Sequence, residues 1–171
     1  HLDLMLKKDE QYKIIDDYLS IEEYKNCWDY VLNAPYKAGE KDHHNSNPVG
    51  MVHELGVDLD SLFRLFPRTI NNEPLSRAYI NYYSPSELSS FHIDHDSPDA
   101  VTLLYYPCPT YHLDEGGATE LIIDDEILGV RSVTNRLLAF KSNITHRATP
   151  FKTYQRWTLA LKYTTLPDTG I

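Results

Sequence analysis

Behind Ser20 the apolar positions Ile21, Tyr24, Trp28, Val31 and Leu32 recur every three or four residues, the spacing of one helix face. Ser20 with Glu23 three residues on is a capping-box pattern, and Pro35 closes the element. Leu59, Leu62, Phe63 and Phe66 predict a second short helix stopped by Pro67. After Pro74 the texture changes. Residues 78–83, 101–106, 118–123, 127–133, 136–140 and 157–163 are short runs rich in strand formers. Ser84-Pro85-Ser86, Pro107, Pro109, Gly116-Gly117 and Thr134-Asn135 punctuate them. Short strands between regular turns predict a mainly β, antiparallel sandwich or barrel, with N-terminal helices packed outside.

With 171 residues, 42% of them hydrophobic, the chain can bury one sizeable core, so a single domain spanning residues 1–171 is expected. Its helical N-terminal part would cover 1–75 and its β core about 76–165. An aromatic content of 12%, most of it tyrosine, is too rich in core formers for a disordered chain. The net charge of -9 tells against a nucleic-acid partner. Cys27 and Cys108 stand far apart in no CxxC pattern, which points to reduced thiols rather than a disulfide framework. No apolar run approaches the ~20 residues of a membrane span, and no secretory leader is read, so a cytoplasmic location is expected.

The stretch FHIDHD, residues 91–96, carries the chemistry. One reading is a hydrophilic turn facing water. On a strand, however, His92 and Asp94 would point to one face while Ile93 turns away. Imidazole with carboxylate suits Fe(II), Mn(II) or Zn(II), and a second histidine would complete a facial triad with open positions. His146 stands 54 residues after His92, where a strand resumes. Ten residues further, Arg156 heads the run RWTLALKY, in phase with Thr158 and Ala160. Turned inward, it would be a costly buried charge unless an anion met it; on the rim it would make only a surface salt bridge.

This constellation resembles the Fe(II)- and 2-oxoglutarate-dependent oxygenases, and within them the prolyl 4-hydroxylase-like branch. The resemblance covers roughly residues 77–163. His92-x-Asp94, the distal His146 and Arg156 follow the family's order and spacing. Tyr83, nine residues before His92, Tyr106 at the end of VTLLYY, and Thr119 after Gly116-Gly117 stand where the branch contacts its co-substrate. The resemblance implies a double-stranded β-helix, or jelly roll, with metal ligands His92, Asp94 and His146. Arg156, Tyr83, Tyr106 and Thr119 would bind 2-oxoglutarate. It implies Fe(II), 2-oxoglutarate and O2, with ascorbate as a further candidate cofactor. The expected reaction couples oxidative decarboxylation of 2-oxoglutarate to hydroxylation of a C–H bond. A prolyl residue of a peptide or protein is the first expected substrate and a free amino acid or small metabolite the second. A jelly-roll binding protein without turnover is the reading from another class. His43, His44, His95 and Arg147 are left without a role.

Overall fold

The computed structural model describes residues 4–38, 50–56 and 61–165. In chain order its elements are β1 (Tyr12–Ile15), α1 (Ile21–Asn33), β2 (Lys37–Ala38), β3 (Met51–Leu55), a 3-10 helix at Ser61–Leu65, and β4 (Thr69–Ile70). There follow β5 (Glu73–Tyr83), β6 (Val101–Tyr106), a 3-10 helix at Leu113–Glu115, β7 (Thr119–Ile123) and β8 (Glu126–Val130). The last are β9 (Arg136–Lys141), β10 (His146–Ala148) and β11 (Arg156–Tyr163). The large sheet runs β1-β9-β6-β11-β5-β3-β2, with β4 on β5, and the small one runs β10-β7-β8. Every pairing is antiparallel.

The central strands of the large sheet are buried on both faces. On β6 and β9, Val101, Leu103, Tyr105, Leu137 and Ala139 join one core, while Tyr106, Leu138 and Phe140 join another. Two-sided burial explains why VTLLYY and RLLAFK read as nearly continuous apolar runs. The first core is closed by α1, which inserts Cys27 and Val31 and sets Trp28 edge-on to Trp157, with ring centroids 5.5 Å apart. The second is closed by Leu121 of β7 and Val130 of β8, so the small sheet covers the inner face of the large one. The result is a two-sheet antiparallel jelly roll.

The capping box forms as expected. Glu23 N donates to Ser20 Oγ at 3.2 Å, and Ser20 N donates to the Glu23 carboxylate at 3.0 Å. The expectation of a helical N-terminal third holds only in part. Among the described residues there is one α-helix and one 3-10 helix before residue 75, and the short strands β1 to β4 lie around them. Runs of two to five residues carry too little periodicity to announce themselves. They become strands because β9 and β5 offer open edges: β1 pairs with β9 more than 100 residues away, and β3 pairs with β5. Of the expected second helix, Leu62 and Phe66 are buried around the 3-10 helix, while Leu59 lies outside the described residues, as do His43 and His44. Both cysteines are free and buried, and burial raises their thiols to about 12 for Cys27 and about 11 for Cys108. No described helix is long and apolar enough to cross a membrane.

Candidate functional site

Strand alternation on β11 sends Trp157, Leu159, Leu161 and Tyr163 into the helix-side core. The opposite phase, Arg156, Thr158, Ala160 and Lys162, faces the interior between the sheets. Register sets Tyr83 opposite Arg156, Asn81 opposite Thr158 and Tyr79 opposite Ala160 on β5. Arg156, Thr158, Lys162, Tyr79, Asn81 and Tyr83 are thus six polar or aromatic positions on the inner face of the large sheet.

At one end stand His92, Asp94 and His146, whose ligand atoms all lie within 4.8 Å of one another. Segment 91–96 is not the strand the sequence predicted. It contributes a single bridge, in which His92 N donates to His146 O at 3.0 Å and His146 N donates to His92 O at 2.9 Å. The reciprocal pair puts both imidazoles on one side, with ring centroids 4.4 Å apart. Beyond the bridge the chain bends because Asp94 N and His95 N both donate to Ser142 O. That bend, not strand alternation, turns Asp94 back toward the histidines. Asp96 faces solvent and His95 is buried, its Nδ1 accepting from Ser97 N.

The donor set fits a metal ion. His92 Nδ1 bonds Ser90 O and His146 Nδ1 bonds Ile144 O, each at 2.8 Å. A carbonyl accepts only from N–H, so Nδ1 carries a proton in both rings and Nε2 is the atom turned toward the cluster. Each Nε2 lies 3.4 Å from Asp94 Oδ1. The other carboxylate oxygen, Oδ2, accepts from Thr102 Oγ1 at 2.7 Å and meets the ammonium of Lys162. Thr102 Oγ1 is also within 2.8 Å of Ser142 Oγ. Burial works against charge on Asp94, but Lys162 and the two imidazoles prevail and hold its carboxyl well below the usual range. Burial likewise opposes charge on His92, and Asp94 outweighs it, so that imidazole is raised.

Further along the inner face of β11, Arg156 is 1% exposed. Its Nε donates to Gly117 O at 3.0 Å, Nη1 to Thr158 Oγ1 at 2.9 Å and Nη2 to Thr119 Oγ1 at 3.0 Å. Thr119 is in turn 2.7 Å from the Tyr106 hydroxyl. Burial keeps Tyr106 protonated; the Arg156 charge only partly offsets it. Among the described residues no carboxylate pairs with this guanidinium, so a full positive charge is buried on neutral partners alone. Nearby, Asn81 Oδ1 is a buried acceptor with no partner. The interior is wired for a polar, anionic guest.

Of the residues singled out in the sequence, His92, Asp94 and His146 come together, and Arg156, Tyr106 and Thr119 form a second group with Tyr83 across from Arg156 in register. Arg147 instead pairs with Glu120 at 2.7 Å and lies over the Phe91 ring. Sequence reasoning missed four groups: the Gly117 carbonyl, the Thr158 hydroxyl, Thr102 and Lys162. Gly117 holds φ at +79°, and a Cβ there would meet the Phe151 ring at 2.2 Å, so only glycine can present this carbonyl. Extending the phase from Arg156 past Ala160 would have found Lys162. Nothing local signals Thr102.

The comparisons with known proteins bear on this geometry. No protein-family model matches the sequence, and none of the curated proteins does. Solved structures do match. A prolyl hydroxylase from Trichoplax adhaerens, in complex with a peptide fragment of the hypoxia-inducible factor oxygen degradation domain, has a TM-score of 0.71 and 21% identity. The match covers 91% of this chain and 84% of that one. A prolyl-4-hydroxylase from Pseudomonas putida has a TM-score of 0.69 at 13% identity, covering 92% and 94%. HygX from Streptomyces hygroscopicus, with nickel and 2-oxoglutarate bound, has a TM-score of 0.70 at 11% identity, covering 91% and 84%. The fold is that of the 2-oxoglutarate/Fe(II) oxygenases. At such identities the likeness is one of architecture, and the chemistry must be argued from the side chains.

Proposed function

We propose that the chain is one domain of a 2-oxoglutarate-dependent dioxygenase that hydroxylates an unactivated C–H bond. The observation that carries this reading is the pairing of two features on the inner face of the large sheet. One is a two-histidine, one-aspartate cluster with both Nδ1 atoms committed to carbonyls. The other is a buried guanidinium without a carboxylate.

His92 Nε2, Asp94 Oδ1 and His146 Nε2 would hold the metal, a set of three protein ligands of the kind that suits Fe(II). Arg156 receives the far carboxylate of 2-oxoglutarate through the N–H donors its present bonds leave over, with the Tyr106, Thr119 and Tyr83 hydroxyls beside it. Thr102 and Ser142 keep the Asp94 carboxylate from rotating. When bound, Fe(II) with 2-oxoglutarate and O2 supplies the oxidation, and the co-substrate leaves as succinate and carbon dioxide. The chain's own share is positioning and exclusion of water by the apolar second core. Ascorbate would serve as an accessory reductant. A prolyl residue of a peptide or protein is the first substrate to try, since two of the similar folds are prolyl hydroxylases. A cytoplasmic setting agrees with two free thiols.

The test is succinate release on screening peptides and amino acids with Fe(II) and 2-oxoglutarate, repeated with His146→Ala. Substrate-stimulated succinate in wild type and none in the variant is expected. No stimulation by any candidate, with no 2-oxoglutarate binding, would leave the non-catalytic binding protein as the better description.

A further inference from the structure

Beyond its contact with Asp94, Lys162 has no part in the roles assigned so far. It lies on the inner phase of β11, six residues from Arg156, with its side chain only 16% exposed. Among the described residues its ammonium meets Asp94 Oδ2 and, at 5.6 Å, the centroid of the Tyr79 ring. An ammonium carries three N–H donors, and here one acceptor oxygen answers them. That oxygen already accepts from Thr102, its anchor on β6 opposite Lys162 in register, so Asp94 is held without the lysine.

The neighbouring cation shows the contrast. Arg77, the register partner of Lys162 on β5, lies 4.1 Å from the Tyr79 ring and pairs with Glu54, so the rim is electrically balanced. Lys162, further in, has only the carboxylate that a metal would claim. With a divalent metal and dianionic 2-oxoglutarate in place, the charges of Asp94, Arg156 and Lys162 leave one positive charge uncompensated at the site. A cation fixed beside a metal site repels the metal unless another anion completes the set.

We propose that Lys162 receives a carboxylate of the substrate, so that the molecule hydroxylated carries an acidic group near the reacting carbon. This rests on the oxygenase reading above and narrows its substrate class. The carboxylate belongs either to a free acid, such as an amino acid, or to a peptide through a C-terminus or an acidic side chain. Prolyl and other targets are included only when so charged.

The experiment uses the full chain loaded with Fe(II) and 2-oxoglutarate. Probes come in matched pairs: L-amino acids against their amides, and terminally blocked short prolyl peptides with a neighbouring glutamate against glutamine. Binding is read anaerobically from the visible charge-transfer band of the iron chelate, and turnover from succinate release in air. Acids are expected to perturb the band and be turned over while their amides do neither, and the pair that responds identifies the source. Lys162→Met should raise KM for the acid at least about tenfold, the effect of losing one charge-assisted contact. It should lower neither iron content nor 2-oxoglutarate affinity, and Lys162→Arg should recover part of the loss. Lys162→Gln serves the same purpose if the methionine variant does not fold. Several results overturn the proposal: amides handled as well as acids, equal KM in the variants, lost iron or 2-oxoglutarate binding instead, or no acid responding although the chelate forms. Failure of the oxygenase reading looks different, because the wild-type chelate band itself would be missing.

Discussion

The two faces of β11 are built for opposite purposes. One face sends Leu159, Leu161 and Tyr163 into a core sealed by α1, where exclusion of water is the whole contribution. The other sends Arg156, Thr158 and Lys162 into a space where, among the described residues, a buried and a half-buried cation have between them one carboxylate, and that one belongs to the histidine cluster. The first face should tolerate any apolar side chain of the right volume and fail by losing stability. The second should fold without its polar groups and fail by losing ligands. A single strand thus separates what folds the protein from what it does.

The largest expected effect lies on the site face. His92→Ala and His146→Ala should each abolish turnover and weaken metal binding beyond the roughly 10–100-fold that loss of a supporting contact costs. Their melting temperatures should stay near wild type. Asp94→Ala should behave like them and Asp96→Ala like wild type, because Asp96 faces solvent; inductively coupled plasma analysis with succinate release decides both.

Next comes Arg156→Ala, which under the proposed function would leave the far carboxylate of 2-oxoglutarate without its partner. Truncating one side of a buried charge pair costs about 2 to 5 kcal/mol, roughly thirty- to several-thousand-fold in affinity. Arg156→Lys should lose less, since it keeps the charge without the planar fork. A 2-oxoglutarate titration of the iron-loaded variants checks this, with iron affinity expected to stay put.

On the core face, Leu161→Ala should cost about 2 to 5 kcal/mol of stability in chemical denaturation while the affinity for 2-oxoglutarate holds. A variant that lost both together would break the separation of the two faces. The smallest effect belongs to Ser20→Ala, remote from both: about 1 kcal/mol from the lost cap, with no change in turnover.

Much of this was legible in the sequence, for reasons that differ by region. Strands β6, β9 and β11 announced themselves because their pairing and burial leave an unbroken β pattern. The capping box at Ser20 is local chemistry and needs no tertiary context. Strands β1 to β4 were invisible because their structure comes from edges supplied by distant residues. The candidate ligands could be picked out by spacing, yet the path of segment 91–96 could not, since the bend at Asp94 depends on the carbonyl of Ser142. Thr102 and Lys162 join the site through register between β6 and β11, a relation no single stretch contains.

The central claim is that iron and 2-oxoglutarate meet at this site, and one anaerobic titration tests it most directly. Adding 2-oxoglutarate to the Fe(II)-loaded protein should raise the weak visible charge-transfer band of a bidentate chelate, saturating at one equivalent per chain. The band should be absent in His146→Ala and should need far more 2-oxoglutarate in Arg156→Ala. A wild-type protein that binds Fe(II) but shows no band at saturating 2-oxoglutarate, or whose band is indifferent to Arg156, would contradict the account.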